Sequence, residues 1–198
     1  MTLDIYTDSR VLRKRGFSEA LARHAANVAE DIGATVLVDL GTGSGIVALG
    51  LARALPSAVV WATEVREEAL EVARLNAARN DIPLRFARGD WFSALPEDLK
   101  GNVDVAVATP PYLTPAEYDL QDEPQRRHTP LLAMVGGETG LDATRSLATQ
   151  GREWLRPGGC LLIECHPERI DETADLVASL GYRIEKNPWL VLVKAWKA

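Results

Sequence analysis

Apolar and polar positions along this chain fall into blocks, and the period changes from one block to the next. TVLVDL (35–40) is a nearly unbroken apolar run of strand length that ends at a glycine, the pattern of a strand buried on both faces. GIVALGLARAL (45–55) follows as an apolar helix stopped by Pro56. AVVWATE (58–64) predicts a second strand, and REEALEVARLNAARN (66–80) a helix with Ala69, Leu70, Val72, Ala73 and Leu75 at helical spacing under a charged outer face. LRFARGD (84–90) and VDVAVAT (103–109) predict the third and fourth strands. A helix over about 141–155 leads into GCLLIEC (159–165), the fifth. IDETADLVASLG (170–181) predicts a helix ended by Gly181. YRIEKN and WLVLVKAW then follow with only Pro188 as a break, so they predict an antiparallel pair. Alternating strands and helices imply crossovers, hence an α/β fold with a mostly parallel, doubly wound seven-stranded sheet whose C-terminal edge pair is antiparallel.

One domain spanning 1–198 accounts for the whole pattern, since no repeat, low-complexity tract or second core is visible. Residues 1–32 predict a helical cover over the sheet. Residues 113–138 lack periodicity, and a loop of that length beside a strand end predicts a substrate lid. Composition narrows the function. Hydrophobic residues make up 46% and charged residues 25%, ordinary values for a globular protein, and the formal net charge is -6. That charge disfavours broad nucleic-acid binding. Two short basic groups, Arg10 with Arg13, Lys14 and Arg15, and Arg126 with Arg127 and His128, read as solvated faces. The opening MTLDIYTDSR has no apolar signal region, and no apolar run is long enough to span a membrane. Cys160 and Cys165 sit five positions apart on one strand, so they point to opposite faces and predict free thiols in a reducing, cytoplasmic setting. No Cys/His ligand spacing suggests a metal.

Candidate chemistry gathers at the strand ends. VDLGTGSGIVAL places Gly41, Gly43 and Gly45 between the first strand and its helix, where glycines allow a tight turn and close approach of a ligand. The third glycine of a dinucleotide fingerprint would fall on position 46, which is Ile46, so a pyrophosphate fits poorly. Glu64 ends the second strand, where a carboxylate can accept both hydroxyls of a ribose. Asp90 ends the third in GDW, where it can accept an adenine amine, with Trp91 or Phe92 flanking the ring. A helix cap or solvated turn is the bland account of each acid alone; their joint occurrence at successive strand ends is what singles them out.

The turn with Asp39 just upstream resembles the first motif of Rossmann-like methyltransferases that bind S-adenosyl-L-methionine. TPPY (109–112) after the fourth strand resembles the N-P-P-Y motif of methyltransferases acting on a planar nitrogen. GDWFSAL, PPY, PLLAMVGGETGLDATR and LRPGGCLLIE follow, in order and spacing, the pattern of HemK-like protein-glutamine methyltransferases over most of the chain. The resemblance implies S-adenosyl-L-methionine as cofactor, held by Asp39, Gly41, Thr42, Gly43, Gly45, Glu64, Val65, Asp90, Trp91 and Thr109, with Tyr6 folding over it. It also implies that position 109 and the Pro110 carbonyl accept the two hydrogens of an NH2 group while Tyr112 shapes the pocket. Fixing both hydrogens aims the nitrogen lone pair at the methyl group, which is catalysis by positioning. His166, after the fifth strand, is a candidate general base; capping the strand end is its structural alternative.

Three features depart from the family: Thr109 replaces Asn, a separate N-terminal helical domain is absent, and YTDSRVLRKRGFSEAL stands where the family has a motif rich in proline and glutamate. These departures point to a small-molecule acceptor, a metabolite or biosynthetic intermediate. Glutamine methylation of a release-factor-type protein is the second reading, and methylation of a nucleic-acid base the third. A catalytically silent, cofactor-binding partner protein is the alternative from another class.

Overall fold

The computed structural model describes residues 3–12, 15–123 and 129–198. Seven strands are described: β1 (Val36–Leu40), β2 (Val59–Glu64), β3 (Arg85–Arg88), β4 (Val103–Ala108), β5 (Leu155–Glu164), β6 (Tyr182–Asn187) and β7 (Leu192–Lys197). They form one sheet in the order β3-β2-β1-β4-β5-β7-β6. The first five pair in parallel, and β7 runs antiparallel to both β5 and β6. The mostly parallel sheet with an antiparallel C-terminal pair is therefore present, with β7 slotted inside and β6 at the edge.

Parallel neighbours require crossovers, and the crossovers supply the outer layers. Helices α1 (Arg15–Asp31), α2 (Ile46–Ala54) and α3 (Glu67–Asn80) cover one face. The chain then passes a short helix, α4 (Pro115–Asp119), before α5 (Asp142–Trp154) and α6 (Ile170–Ser179) cover the other. Side chains alternate across each strand. Leu37, Val105, Val107 and Leu162 meet Leu21 and Leu49 on the first face. Val38, Leu40, Ala106 and Ile163 meet Leu147 and Val177 on the second. Covering both faces explains why the central strands read as continuous apolar runs. Leu37 and Leu49 are fully buried, so truncating either to alanine costs about 2–5 kcal/mol.

Register is fixed at the sheet's far end by Asp104. Its carboxylate accepts from the backbone N–H groups of Thr35 and Val36, both at 2.8 Å, and pairs with the Arg156 guanidinium. Because β1 to β5 are parallel, their carboxyl ends open together on one side of the sheet, where ligands bind in such folds.

Three details differ from the sequence expectation. β5 starts at Leu155 rather than 159: Leu155 pairs with Val103, the Pro-Gly-Gly segment arches out as a bulge, and pairing resumes at Cys160 opposite Val105. Residues 3–12 are not helical: after 3–8, a turn over 9–11 is closed by the Val11 N–H on the Asp8 carbonyl at 3.2 Å, and helix begins only at Arg15. Trp189, which opens the WLVLVKAW run, precedes β7, which begins at Leu192, and is 93% exposed, whereas Trp196 packs against the first core.

The 113–138 segment is stitched at both ends. Leu113 donates to the Met134 carbonyl and Gly136 donates to the Leu113 carbonyl, each at 2.9 Å. Arg13, Lys14, Arg126, Arg127 and His128, the bulk of the two basic groups, lie outside the described residues. Arg10 pairs with Asp8 and Glu71. Cys160 and Cys165 are free and buried on opposite faces, and burial pushes their thiols up to about 12 and about 11. Among the described residues, no helix is long and apolar enough to cross a membrane.

Candidate functional site

A cavity of about 670 Å³ lies over the carboxyl ends of β1, β2 and β4. Its floor is the turn after β1. Gly43 lines it with φ of 53°, a conformation that favours glycine, and a Cβ built there meets nothing within 4 Å. The backbone at Gly43 is thus bare toward the cavity, as a ligand lying against it requires. Gly41, with φ of 71°, serves another purpose: a Cβ there would stand 3.2 Å from the Trp91 ring. Gly45 does not line the cavity. Its missing side chain lets α2 pack against α3, 3.2 Å from the Ala73 methyl.

Two of the acids at the strand tips, Asp39 and Glu64, are held mostly by backbone N–H groups close to them in sequence. Asp39 is 3% exposed and accepts from the Thr42 hydroxyl at 2.6 Å and the Ala48 N–H at 3.1 Å. Burial pushes its pKa up to about 6, the nearby Glu64 charge adds to the push, and the two hydrogen bonds oppose it. Glu64 accepts from Val65 N–H at 3.0 Å, Arg66 N–H at 3.2 Å and Gly43 N–H at 3.2 Å. Its carboxylate thereby joins the β2 tip to the glycine turn. Val65 also lines the cavity, as do Asp90 and Trp91 beyond β3. Trp91 holds φ of 48°, unusual for a side chain of its size, which lays its ring against Gly41.

The β4 end contributes Thr109 and Pro111. Pro110 is buried and lies outside the lining, because successive residues of an extended turn look to opposite sides. Tyr112 likewise turns away, into a second depression of about 360 Å³ with Phe17 and Glu164. The Tyr112 carbonyl accepts from Arg169 Nη1 at 3.0 Å, while Arg169 Nη2 pairs with Glu117 of α4. The guanidinium holds the Glu117 carboxyl down at about 2. Glu117 in turn accepts from Thr114 N–H at 2.8 Å, closing a capping box. Arg169 was not singled out in the sequence, and no local pattern there marks it.

His166 caps the turn that follows β5. Its Nδ1 accepts from the Glu168 N–H at 3.3 Å, and its ring meets Tyr112 edge-on at 5.6 Å. It does not line the main cavity, so the geometry favours the capping account over the general base. Tyr6 also misses the cavity. It is 39% exposed and its hydroxyl donates to Asp8 at 3.1 Å, while its neighbours Ile5 and Thr7 line the space. The segment is the expected one, but alternation along it turns the tyrosine outward. Leu132, Gly136 and Gly137, of the PLLAMVGG stretch, form part of the wall across from the glycine turn. Among the described residues, no three His, Cys, Asp or Glu side chains cluster to hold a metal ion.

A nucleoside-sized space, a bare glycine turn and pinned carboxylates fit S-adenosyl-L-methionine. The sequence comparison agrees. The model of the methyltransferase small domain matches residues 11–122. The chain belongs to this family. It falls among the HemK-like class I methyltransferases, whose cofactor is S-adenosyl-L-methionine.

The release factor glutamine methyltransferase of Deinococcus radiodurans is 37% identical over 92% of this chain and 64% of its own length. That of Gloeobacter violaceus is 40% identical over 82% of this chain and 56% of its own. The chain thus spans from about half to just under two thirds of the length of these curated relatives. Among solved structures, a methyltransferase from Pyrococcus furiosus superposes with a TM-score of 0.69 at 23% identity, over 99% of this chain and 89% of that one, which establishes the fold.

The relatives correct one expectation. Thr109 in place of Asn and the expected lack of a separate N-terminal domain pointed to a small-molecule acceptor, yet relatives 34–43% identical are named for glutamine in a release factor. One substitution that keeps an oxygen acceptor at position 109 weighed too heavily in that inference.

Proposed function

We propose that this protein is a cytoplasmic, S-adenosyl-L-methionine-dependent methyltransferase that modifies the side-chain amide of a glutamine in a protein of the release-factor type. The observation that carries the reading is the meeting of Thr109, in the TPPY turn, with the glycine turn and Glu64 around one cavity. The likeness to release factor glutamine methyltransferases supports the acceptor class. The two free, buried cysteines suit a reducing compartment.

When bound, S-adenosyl-L-methionine supplies an electrophilic methyl group on a sulfonium. Glu64 holds the ribose hydroxyls, Asp90 and Trp91 take the adenine, and Asp39 and Thr42 shape the end of the cavity nearest the glycine turn. At the acceptor end, the Thr109 hydroxyl accepts one amide hydrogen and a backbone carbonyl of the TPPY turn the other. An amide nitrogen is a poor nucleophile because its lone pair is delocalised into the carbonyl. Fixing both hydrogens turns that lone pair toward the electrophile, so the protein contributes orientation rather than a strong base. Arg169 acts at one remove, by fixing the turn that carries these acceptors.

The test is to incubate the purified protein with a peptide release factor and S-adenosyl-L-methionine, then map the digest by mass spectrometry. One added methyl on a glutamine side chain is expected. An unmodified release factor, from a protein that binds S-adenosylhomocysteine, would sink the acceptor assignment while leaving the cofactor assignment standing.

A further inference from the structure

Residues 3–7 run along α3 and border the cavity beside the glycine turn. Their side chains alternate: Leu3 is 4% exposed in the core, Asp4 and Tyr6 face solvent, and Ile5 and Thr7 line the cavity. No strand pairs with this segment among the described residues. Two asparagines take that place. The Asp4 N–H donates to Asn80 Oδ1 at 2.9 Å, and Asn80 Nδ2 donates to the Asp4 carbonyl at 2.9 Å. The Tyr6 N–H donates to Asn76 Oδ1 at 2.8 Å, and Asn76 Nδ2 donates to the Tyr6 carbonyl at 2.9 Å. Each side-chain amide offers one acceptor and a donor, as a peptide group does.

The spacing explains why two such residues suffice. Positions four apart on a helix are separated by about 6 Å, and positions two apart on a strand by about 6.6 Å. Asn76 and Asn80, one turn apart on α3, therefore match alternate residues of an extended chain and serve as an artificial sheet edge. Asn76 does more. It is fully buried, and its Nδ2 also donates to the Ser44 carbonyl at 2.8 Å, inside the glycine turn. One side chain thus ties the strap to the glycine turn beside it. Farther along, Val11 is buried against Ala69 and Val72 of α3, and the Arg66 guanidinium donates to the Arg10 carbonyl. The strap is anchored to α3 beyond the two asparagines as well.

We infer that Asn76 and Asn80 are positioning residues for the cofactor: they hold residues 3–7 as a strap over S-adenosyl-L-methionine and so set how long it stays bound. The inference rests on the cofactor reading but not on the identity of the acceptor. A strap held largely by the Asn76 and Asn80 side chains can detach without disturbing the sheet. Ile5 and Thr7 would leave the cavity with it and open a route to solvent.

Hydrogen exchange of residues 3–7 and stopped-flow dissociation of S-adenosylhomocysteine test this together. In Asn80→Ala, a partly exposed position, faster exchange at Asp4 and Tyr6 is expected, with dissociation faster by about 3–10-fold and melting temperature little changed. Asn76→Ala should show a larger change of the same kind, and Asn80→Ala carries the test if the buried substitution fails to fold. Arg79→Ala removes only the surface pair with the Asp4 carboxylate and should leave dissociation within about twofold of wild type. A folded Asn80→Ala protein with faster exchange but unchanged dissociation would overturn the inference, as would unchanged exchange. Wild-type protein that binds no S-adenosylhomocysteine would overturn the cofactor reading along with it.

Discussion

The tips of β1 and β2 and the turn after β4 face one cavity, but they are held in place in different ways. At the first, the carboxylates of Asp39 and Glu64 receive N–H groups from Ala48, Val65 and Arg66, all within nine residues of the acid they serve, and Gly43 adds one from the neighbouring turn. At the second, the TPPY turn is held from afar: Arg169 grips the Tyr112 carbonyl from 57 residues away, and Met134 and Gly136 stitch Leu113. A site built from adjacent backbone is fixed as soon as its strand and helix form. A site braced by distant loops is fixed only when those loops pack. The cofactor end should therefore respond to the loss of a side chain that meets the ligand, and the acceptor end to the loss of a brace that never meets it.

The largest expected effect tests the first half of that contrast. Glu64→Ala should weaken S-adenosylhomocysteine binding by about 100-fold in calorimetry, the scale of hydrogen bonds to a charged group. A loss below about threefold would mean that the ribose lies elsewhere.

Arg169→Ala comes next. Turnover on a release factor should fall about tenfold while cofactor affinity stays within about twofold, because the brace acts on the turn alone. Equal losses in both would erase the distinction between the two ends.

The pH dependence of Asp39 sharpens it further. Its pKa stands at about 6, above the ordinary 3.8. Folding stability from this group is then fully present below about 3.8 and is lost as pH rises through about 6. Cofactor binding should run the opposite way, since protonation below about 6 removes a negative charge facing a cationic ligand. Melting curves and calorimetry between these limits should diverge in wild type, and Asp39→Asn should flatten both. Parallel trends would refute a role for the Asp39 charge in binding.

Smaller still is Thr109→Asn, which should raise glutamine turnover a few-fold by restoring an amide oxygen; a collapse would show the pocket shaped around threonine. Least of all, His166→Ala should change turnover by less than about twofold and cost no more than about 1 kcal/mol as a lost cap. A drop beyond tenfold would restore it as a base.

How far the chain could be read in advance follows the same division. Gly41, Gly43, Glu64 and Asp90 stand at strand ends that apolar runs and breakers mark directly. The side each residue faces was harder to read. Tyr6 sits in the expected segment but on the outer side of an extended strap, and Tyr112 turns from the main cavity while Pro111 lines it. Parity in a segment without a partner strand depends on what it docks against, here two asparagines that read as ordinary helix surface. His166 was legible as a polar residue after a strand, but its capping bond depends on the turn geometry that follows.

By itself, the sequence determined the order of strands and helices, the buried character of the central sheet and the glycine turn with its acids. Those features arise from periodicity and from contacts between residues close in the chain. The tertiary structure alone decided that α3 carries a two-rung docking edge for residues 3–7 and that Arg169 braces the TPPY turn. It also decided that β5 begins early through a bulge. Each joins segments far apart in sequence, and such contacts exist only after the sheet has brought the strand ends to one side.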